Sequence, residues 1–475
     1  MTIPVRNPRT GEVDHDLTPA TAADVRAVAA RLRAAQPAWA AMTPTARAAV
    51  LLRWADVVEA RTDAIVAALS VDTGRLRISQ VEVEGLPRTL RRWAARGPQI
   101  IAGLGERDRP SAHPTVTIST RHTPYPLFGA IAPWNFPIVL STIDMIPALM
   151  AGCAALVKPS EVTPRFLGPL RETIAAVPEL ADVLAFVEGG AETGQALIGA
   201  VDYLCFTGSV ATGRKVAEAA ARAFIPANLE LGGKDPMIVL ASADPEAAAR
   251  TALRASVVAT GQACQSIERV YVARAIAGPF LAALVREAAA VRPNWPDIGS
   301  GEIGPFILPR QAETVAAQLA DAQAKGATVL TGGTIEELGG GRYLRPTVVT
   351  GVTPDMALIR EETFGPVIPV ALFDTVDEAV ALANASDYGL GAAVLAGTAA
   401  EAEAVAARLE AGAISINDGA MTSMVWDAEN TSLKLSGMGP SRMGDSGLTR
   451  FFRTQALIRQ NGTPLPLAAY AEDAK

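Results

Sequence analysis

Apolar residues recur with helical periodicity near the start of the chain. Between residues 20 and 95, a region rich in Ala, Leu and Arg, the pattern predicts helices over 23–38 and 46–70. Glycines and prolines then predict a loop over 102–114. The run at 115–120, in which apolar and polar residues alternate and β-branched residues are frequent, predicts a strand directly after that loop.

Short apolar strands then alternate with helical segments, which is the pattern of a parallel α/β protein. A first block of predicted strands comprises 128–132, 154–158, 183–188 and 203–207. A second block comprises 237–240, 269–272, 328–330 and 367–372. The Pro/Gly-rich stretch 293–305 predicts a surface loop, and 464–475 predict a loose tail.

The size and the charge of the chain exclude several classes of partner. At 475 residues the chain exceeds one ordinary core, so two or three domains are expected. Its net charge of −7 is spread along the sequence without a run of Lys and Arg, which excludes nucleic acid and an anionic membrane surface as main partners. The chain starts without the basic and apolar regions of a signal peptide, and no charge-free apolar stretch of about 18 residues occurs. These features predict a cytoplasmic protein that does not enter a membrane.

Histidine and cysteine are too sparse for a zinc site or a histidine-based triad. The three histidines stand at no metal-ligand spacing with one another or with a cysteine, so no metal is expected. Cys153, Cys205 and Cys264 form an odd set, which fits a reducing compartment better than a disulfide framework.

Cys264 is the cysteine whose neighbours best suit a reactive thiol. Cys153 and Cys205 lie in the apolar sequences Ala-Gly-Cys-Ala-Ala-Leu-Val and Tyr-Leu-Cys-Phe, which predict core positions. Cys264 lies among small and polar residues in Thr-Gly-Gln-Ala-Cys-Gln-Ser, where a substrate carbonyl has room to approach. From this segment alone, a nucleophile and a loop cysteine without a chemical role are equally good interpretations.

Four motifs in register decide between these interpretations. They are Pro133-Trp134-Asn135-Phe136-Pro137, Leu229-Glu230-Leu231-Gly232-Gly233-Lys234, Gly261-Gln262-Ala263-Cys264 and Glu361-Glu362-Thr363-Phe364-Gly365-Pro366-Val367. Together they resemble the aldehyde dehydrogenase superfamily, and the 34-residue spacing from Glu230 to Cys264 is also that of the family. The resemblance extends over nearly the whole chain, from Asn7-Pro8 through Asn417 to Ser436-Gly437-Met438-Gly439.

The resemblance implies an α/β fold of three parts. A Rossmann-type cofactor domain is expected over 1–112 and 126–232, and an α/β catalytic domain over 233–435. The ranges 113–125 and 436–475 are expected to form a β-hairpin oligomerisation element and a C-terminal segment, with strands near 115–125 and 450–461. Because such a hairpin adds strands to a neighbour's sheet, a homodimer or a homotetramer is expected.

The resemblance also implies a covalent mechanism. A thiolate at Cys264 adds to the aldehyde, and the Asn135 amide and the Cys264 backbone N–H donate to the resulting oxyanion. Glu230 acts as the general base that hydrolyses the thioester to a carboxylic acid. The competing interpretations are a turn residue for Asn135 and a structural ion pair with Lys234 for Glu230.

The expected cofactor is NAD, with NADP as an alternative. Gly208-Ser209-Val210-Ala211-Thr212-Gly213 follows a predicted strand and opens a helix, where backbone N–H groups bind phosphate, although the glycine spacing departs from the usual fingerprint. By resemblance, Lys158 and Glu161 hold the adenosine ribose, Glu362 holds the nicotinamide ribose, and Phe364 lines its ring. The full set of expected cofactor residues is Trp134, Lys158, Ser160, Glu161, Gly208, Ser209, Gly213, Leu231, Gly232, Glu362 and Phe364.

The expected substrate is an apolar or aromatic aldehyde. By resemblance, the residues lining the substrate tunnel include no Arg or Lys, whereas a carboxylate-bearing substrate would need a cation. The stretches Asn417-Asp418 to Gly437 and Ser441-Arg442-Met443-Gly444 resemble a bacterial branch that acts on carotenoid-type and aromatic aldehydes. The residues expected at the substrate are Phe136, Leu140, Ile143, Gln265, Met421 and Trp426.

Three alternatives remain beside this function. A semialdehyde dehydrogenase would share the chemistry and differ only in its substrate. A CoA-acylating relative would release the thioester to a thiol, but such relatives generally lack the glutamate found here as Glu230. A non-catalytic structural homologue, such as a lens crystallin, is disfavoured by the joint presence of Asn135, Glu230 and Cys264.

Two charges are reversed relative to the common family pattern. Many members carry Lys nine residues after the oxyanion-hole Asn and Glu in their C-terminal Ser-Gly-x-Gly-Arg-Glu motif. Here the first position is Asp144, and an alignment on Gly447-Leu448 places Arg442 at the second. A joint reversal is expected where two side chains meet, so we predict an ion pair between Asp144 and Arg442. The alternative is two unrelated surface charges.

Overall fold

The computed structural model describes residues 2–472, so residues 473–475 of the predicted C-terminal segment and tail lie outside the described residues. Four helices follow an N-terminal hairpin and confirm the helical periodicity of the first hundred residues: α1 (Ala22–Ala41), α2 (Pro44–Glu59), α3 (Thr62–Thr73) and α4 (Leu76–Ala102). The single helix predicted over 46–70 is wrong. The chain breaks it at Ala60–Arg61, where α2 ends and α3 begins, and both helices then pack against α4. No Gly or Pro marks this break.

The later helices are short and stand between strands. They are α5 (Pro137–Thr142), α6 (Met145–Ala151), α7 (Leu167–Ala175), α8 (Pro178–Val183), α9 (Ala191–Ile198), α10 (Val210–Ala223), α11 (Pro245–Val257), α12 (Ala277–Ala290), α13 (Pro309–Ala324), α14 (Ala357–Arg360), α15 (Val376–Asn384), α16 (Ala399–Ala406) and α17 (Ser446–Thr449).

The strands of the first half of the chain are β1 (Ile3–Arg6), β2 (Val13–Leu17), β3 (Arg109–Pro110), β4 (Val116–Pro124), β5 (Leu127–Ile131), β6 (Ala154–Lys158), β7 (Leu184–Phe186), β8 (Tyr203–Thr207), β9 (Ala227–Glu230) and β10 (Asp235–Val239). Those of the second half are β11 (Ile267–Ala273), β12 (Thr328–Thr331), β13 (Ile335–Leu338), β14 (Gly341–Leu344), β15 (Thr347–Thr350), β16 (Val367–Phe373), β17 (Tyr388–Gly389), β18 (Gly391–Leu395), β19 (Ala413–Ile416), β20 (Leu433–Lys434), β21 (Gly437–Met438) and β22 (Phe452–Gln460).

Two large sheets form the framework of the protein. The first has the strand order β21-β9-β8-β5-β6-β7, and its strands from β9 to β7 run parallel. The second has the order β12-β15-β16-β11-β10-β18-β19, and only β12 runs antiparallel to its neighbour. The prediction of a parallel α/β architecture is thereby confirmed. Buried apolar residues of the first sheet and of α1 to α4 form one core, and the faces of the second sheet pack in further clusters.

Two predicted loops are more structured than expected. Residues 102–114 contain the short strand β3, which pairs with β4. The stretch 293–305 was expected at the surface, but Asn294 and Ile303 are buried within it. The Asn294 side chain donates to the carbonyl of Gly74 at 2.7 Å and accepts from the Tyr343 hydroxyl at 3.2 Å. These polar contacts, which a local pattern does not reveal, hold the stretch against the body of the protein.

A third sheet stands apart from the two large ones. Strand β22 pairs antiparallel with β4 from Phe452↔Pro124 to Gln460↔Val116, and β3 adds to the other edge of β4. The predicted strands near 115–125 and 450–461 therefore do form a pair. Leu457 and Ile458 on β22 are 50% and 71% exposed, so the free edge of this sheet carries apolar side chains at the surface.

Between residues 2 and 472, no helix combines the length and the apolar character needed to cross a membrane. In the same range, no three His, Cys, Asp or Glu side chains are grouped so that they could hold a metal ion.

Candidate active site

The candidate site forms where strands of the first sheet end. The carboxyl ends of parallel strands share one edge of a sheet, and ligands bind at that edge in α/β proteins. After β5 the chain reaches Trp134 and Asn135, after β8 it reaches Gly208 and Ser209, and after β9 it reaches Leu231. Cys264 comes to the same place from the loop before β11 of the second sheet.

An open cleft lies between these segments. Its wall contains many of the residues expected from the sequence: Trp134, Asn135, Leu140, Gly208, Ser209, Leu231, Gly232, Cys264, Glu362 and Phe364. Its wall also contains residues that the sequence analysis missed: Pro133, Thr207, Leu308, Arg310, Gln311 and Thr314. Leu308 directly precedes α13, which has Pro309 at its first position, and Arg310, Gln311 and Thr314 lie in its first two turns. That proline is a helix-start signal, but it does not reveal that the helix faces the nucleophile.

The residues expected at the adenosine ribose lie at the end of β6, outside the wall of this cleft. The buried Lys158 ammonium donates to the carbonyls of Pro159 and Gly189 at 2.8 and 2.7 Å, and it lies 3.3 Å from the Glu161 carboxylate. The Ser160 hydroxyl accepts from a backbone N–H two residues later. Lys158 is thus already engaged, while the side chain of Glu161 is 38% exposed and accessible.

The first turn of α10 supplies the expected phosphate-binding backbone. Ser209 caps this helix, because its hydroxyl accepts from the Thr212 N–H at 3.4 Å. Gly213 lies in the same turn and packs against the Leu231 side chain. The N-terminus of a helix attracts anions through its free N–H groups and its dipole, so these residues fit a dinucleotide phosphate.

The environment of Cys264 favours the thiol form in the protein alone. Burial raises the pKa of Cys264 to about 12, and the nearby carboxylates of Glu362, Asp235 and Glu230 act in the same direction. A nucleophilic thiolate therefore requires a base or an added positive charge in the site. Cys153 and Cys205 are fully buried, which confirms the two predicted core positions.

Asn135 is buried and faces the loop that carries Cys264. Its amide nitrogen donates to the carbonyl of Gln262 at 3.0 Å. A primary amide has two N–H donors, so a second remains on this side chain, which lines the cleft. The alternative of a simple turn residue gives no reason for this contact with the loop that carries Cys264.

Glu230 stands at the end of β9 and accepts from the Ser432 hydroxyl at 2.9 Å. Burial raises the pKa of Glu230, and Arg442 and Ser432 offset only part of that rise. A carboxylate with a raised pKa is a better base near neutral pH. The alternative pairing of Glu230 with Lys234 is wrong, because the Lys234 ammonium binds the Glu268 carboxylate at 2.8 Å. Sequence analysis missed Ser432, because a single serine directly before the short strand β20 belongs to no motif that would indicate a contact with Glu230.

The segment after α14 approaches the cleft from the second sheet. Glu362 accepts from the Gly233 N–H at 3.1 Å, and a Cβ on Gly232 would lie only 2.6 Å from a Glu362 oxygen, so a side chain at Gly232 would displace this carboxylate. The Phe364 ring meets the Trp134 ring edge to face at 5.5 Å. Burial raises the pKa of Glu362 to about 8, and Glu268 adds to the rise.

The residues expected at the substrate are more scattered. Leu140 lines the cleft and Gln265 adjoins Cys264, whereas Ile143 is buried at the end of α5. The residues from the C-terminal part are less enclosed: Met421 is 39% exposed and Trp426 is half-buried.

The structure places two cations that the sequence analysis overlooked beside this set: Arg75, whose guanidinium carbon lies 5.3 Å from the centre of the Phe136 ring, and Arg92. Arg92 on α4 lies with its guanidinium carbon 5.0 Å from the centre of the Trp93 ring and 6.0 Å from that of Trp426. The residues expected at the substrate contain no Arg or Lys themselves, but Arg92 adjoins Trp426 and Arg75 adjoins Phe136. The contact of Arg92 with Trp426 joins residues that are 334 positions apart, which no local pattern reveals (426 − 92 = 334).

The predicted ion pair between Asp144 and Arg442 is confirmed. The two side chains are buried and form hydrogen bonds at 2.5 and 3.3 Å. Arg450 binds the same carboxylate, and Arg442 also donates to the Thr207 hydroxyl at 3.0 Å. Burial raises the pKa of Asp144, but the two guanidinium groups outweigh it and hold the pKa at about 2. The pair holds the C-terminal segment beside β8. Strand β8 is the neighbour of β9, which ends at Glu230.

Comparisons with known proteins agree with this geometry. The sequence model of the aldehyde dehydrogenase family matches residues 1–457. A Mycolicibacterium smegmatis protein provisionally named succinate-semialdehyde dehydrogenase (NADP+) is 38% identical over 457 residues, which cover 96% of this chain and 88% of the relative. A betaine aldehyde dehydrogenase from Cereibacter sphaeroides is 37% identical over 443 residues, covering 92% of this chain and 89% of the relative.

Solved structures give the same result for the fold. A structure from Anabaena variabilis, provisionally described as an aldehyde dehydrogenase, has a TM-score of 0.95 at 47% identity, with 98% of this chain and 99% of that chain covered. Lactaldehyde dehydrogenase from Escherichia coli has a TM-score of 0.90 at 32% identity, with 97% and 96% covered. The chain belongs to the aldehyde dehydrogenase family and is an NAD(P)-dependent oxidoreductase that oxidises an aldehyde.

Proposed function

We propose that this oxidation proceeds through a covalent adduct on Cys264 and ends in a free carboxylic acid. The observation that carries the proposal is the shared cleft, whose wall contains Cys264 and Asn135 together with Glu362 and Phe364. A thiolate at Cys264 adds to the aldehyde carbon, and the free N–H of the Asn135 amide and the Cys264 backbone N–H stabilise the oxyanion. When bound, NAD(P) supplies the acceptor for the hydrogen and electrons that leave the aldehyde carbon.

Glu230 has two tasks in this proposal. In the protein alone Cys264 is a thiol, because its pKa is about 12, so the proton must pass to a base before attack. Glu230 is one of three carboxylates with a raised pKa near Cys264, beside Glu362 and Asp235, and Ser432 fixes its side chain. The same carboxylate then takes a proton from the water that hydrolyses the thioester. Water as the final acceptor distinguishes this enzyme from a CoA-acylating relative, and turnover itself distinguishes it from a non-catalytic homologue.

For the substrate, we propose an apolar or aromatic aldehyde. Phe136, Leu140 and Ile143, which follow Asn135 on one short stretch, carry no charge or hydrogen-bonding group that would select a polar substrate. Apolar and aromatic walls hold such substrates by burial of their surface. This proposal places the chain in the branch of the family that acts on apolar and aromatic aldehydes.

A second candidate, a semialdehyde bearing a carboxylate, is favoured by one contact and by the names of relatives. Arg92 is a half-buried cation beside Trp426, and a guanidinium is the group that binds carboxylates best. A quaternary ammonium aldehyde fits less well. Such cations bind on the faces of aromatic rings, and near Trp426 a guanidinium already occupies that position.

An NADH absorbance assay with a panel of aldehydes tests the substrate proposal. We expect a higher kcat/KM for benzaldehyde and long-chain aldehydes than for succinic semialdehyde, and no dependence on added CoA. The reverse order would favour the second candidate. In that case Arg92→Met should lose the preference for succinic semialdehyde, while Arg88→Met, an exposed site one turn earlier on α4, should keep it. A rate that requires CoA would exclude hydrolysis as the final step.

For the cofactor, we propose a preference for NAD over NADP. The exposed Glu161 carboxylate is placed to accept from a ribose 2′-OH and to repel a 2′-phosphate. Lys158 is held by two carbonyl oxygens and by Glu161, so it offsets the repulsion only in part.

The kcat/KM ratio for the two cofactors tests the role of Glu161. We expect the ratio to favour NAD in the natural protein and to move toward NADP in Glu161→Gln, because the repulsion of the 2′-phosphate is lost. Glu192→Gln, on the first turn of α9, is a control for the loss of one surface charge and should leave the ratio unchanged. A natural preference for NADP would contradict the role given to Glu161.

We also propose the three-part domain division and a homo-oligomer. The free edge of β22, with its exposed Leu457 and Ile458, is suited to extend a sheet of a second copy. The cofactor, catalytic and oligomerisation parts then comprise 1–112 with 126–232, 233–435, and 113–125 with 436–475. We place the enzyme in the cytoplasm, on the evidence of its reduced, sparse cysteines.

A further inference from the structure

Arg75 contacts both loops that form the candidate oxyanion site. It lies directly before α4, and its side chain is buried. One guanidinium nitrogen donates to the backbone carbonyl of Asn135 at 2.5 Å, and the other donates to the backbone carbonyl of Ala259 at 3.2 Å. A guanidinium is planar and rigid, so two hydrogen bonds from one group fix the separation of their acceptors.

The loop on the Cys264 side needs such a restraint. Ala259, Thr260 and Gly261 have φ angles of 58°, 62° and 66°, and the first two are in a left-handed conformation that residues with a Cβ rarely adopt. Thr260 is held by its hydroxyl, which donates to the carbonyl of Gly304 at 3.0 Å. The Ala259 carbonyl accepts from the backbone N–H of Gln262 at 3.2 Å within the loop, and Arg75 adds a contact from outside the loop at the same distance. Cys264 follows five residues after Ala259.

The loop on the Asn135 side is held from two directions. Arg75 binds the Asn135 carbonyl and lies 5.3 Å from the centre of the Phe136 ring. Glu82, two turns further along α4, accepts from the N–H groups of Ile138 and Val139 at 3.2 and 3.4 Å. A cation at the carbonyl and an anion at the following N–H groups oppose rotation of this segment. Burial raises the pKa of Glu82 to about 7, and Arg75 counteracts that rise.

We propose that Arg75 is a positioning residue that keeps the Asn135 amide and the Cys264 backbone N–H in register as one oxyanion site. This inference rests on the proposed roles of Cys264 and Asn135. Oxyanion stabilisation depends on donors that are in place before the charge develops, and displacements of about 1 Å can cost a factor of about 100 in rate. Loss of Arg75 should therefore slow addition to a carbonyl without removing either the nucleophile or the cofactor.

The test compares Arg75→Met and Arg75→Lys with a matched control, Arg47→Met. Arg47 is also buried and also donates to backbone carbonyls, at Met42 and Met150, but it lies between α1, α2 and α6. Burial lowers the pKa of both guanidinium groups to about 10, so each variant removes a charge that is shielded from water. Tm measurements on all variants report what each removal costs the fold.

Two reactions of Cys264 separate positioning from general damage. Acylation by an aldehyde passes through an oxyanion, whereas alkylation by iodoacetamide does not. In Arg75→Met we expect the first-turnover rate to fall about 10- to 100-fold, with alkylation and the Kd of NAD changed less than about twofold. The first-turnover rate of Arg75→Lys should lie between those of Arg75→Met and the natural protein, because an ammonium reaches one of the two carbonyls and not both. In Arg47→Met all three quantities should stay near those of the natural protein.

Two results would overturn the proposal. One is an acylation rate in Arg75→Met equal to that of Arg47→Met, and the other is a parallel loss of acylation and alkylation. If Arg75→Met does not fold, an acylation rate in Arg75→Lys equal to that of the natural protein would overturn the proposal instead. Failure of the underlying mechanism looks different, because the natural protein would then carry no acyl group on Cys264 after the first turnover.

Discussion

Replacing Cys264 with alanine is expected to abolish aldehyde oxidation while cofactor binding stays near normal. The side chain is the proposed nucleophile, and the change removes one sulfur atom from the open wall of a cleft rather than from a packed core. Loss of a covalent nucleophile typically lowers kcat by about 10³-fold or more. We expect the NADH signal to fall to background, with the Kd of NAD and the Tm changed little.

A second cysteine provides the matched control for this change. Cys205 is the middle residue of β8, an inner strand of the first sheet, and it is buried. Cys205→Ala leaves a small cavity, so it should lower the Tm and leave kcat nearly unchanged. More than a trace of activity in Cys264→Ala would show that another group is the nucleophile. Loss of activity in Cys205→Ala, with the protein folded, would show that the assay reports general damage.

Local patterns were sufficient for two inner strands of the first sheet. Strands β6 and β8, which are short apolar runs bounded by turns, begin and end at the predicted residues. Strand β18, Gly-Ala-Ala-Val-Leu, was missed although it resembles β6: each has one β-branched residue and pairs with a neighbour on both sides. The break between α2 and α3 was missed because no helix-stop residue marks it.

The site likewise contains residues that sequence motifs identify and residues that only the fold brings there. Motifs identified Cys264 and Asn135 because their chemistry depends on residue type. Ser432, Arg92 and Arg75 lie far from those motifs along the chain and act by position, so a single sequence does not reveal them. The Asp144 and Arg442 pair is an exception, because a joint reversal of charge records a contact that neither residue shows by itself.

Replacing Glu230 with glutamine is expected to stop the reaction after the first turnover. Glutamine keeps the shape and can still accept from the Ser432 hydroxyl, so the fold should be preserved. An amide has no basic oxygen at neutral pH, and removal of a general base typically lowers a rate by about 10²- to 10⁴-fold. Steady-state turnover should fall by that factor, while a burst of NADH equal to the enzyme concentration remains if deacylation suffers most.

The acyl group shows which of the two proposed tasks of Glu230 is the more important. Mass spectrometry after mixing with aldehyde and NAD should find the acyl group on Cys264 in Glu230→Gln if water activation is the task that limits turnover. A variant that is slow but carries no acyl group would instead assign Glu230 to the deprotonation of Cys264, whose pKa of about 12 makes that step demanding. Ser432→Ala, which keeps the carboxylate and removes only its hydrogen bond, should reduce turnover far less than Glu230→Gln. An unimpaired steady state in Glu230→Gln would remove this carboxylate from the mechanism altogether.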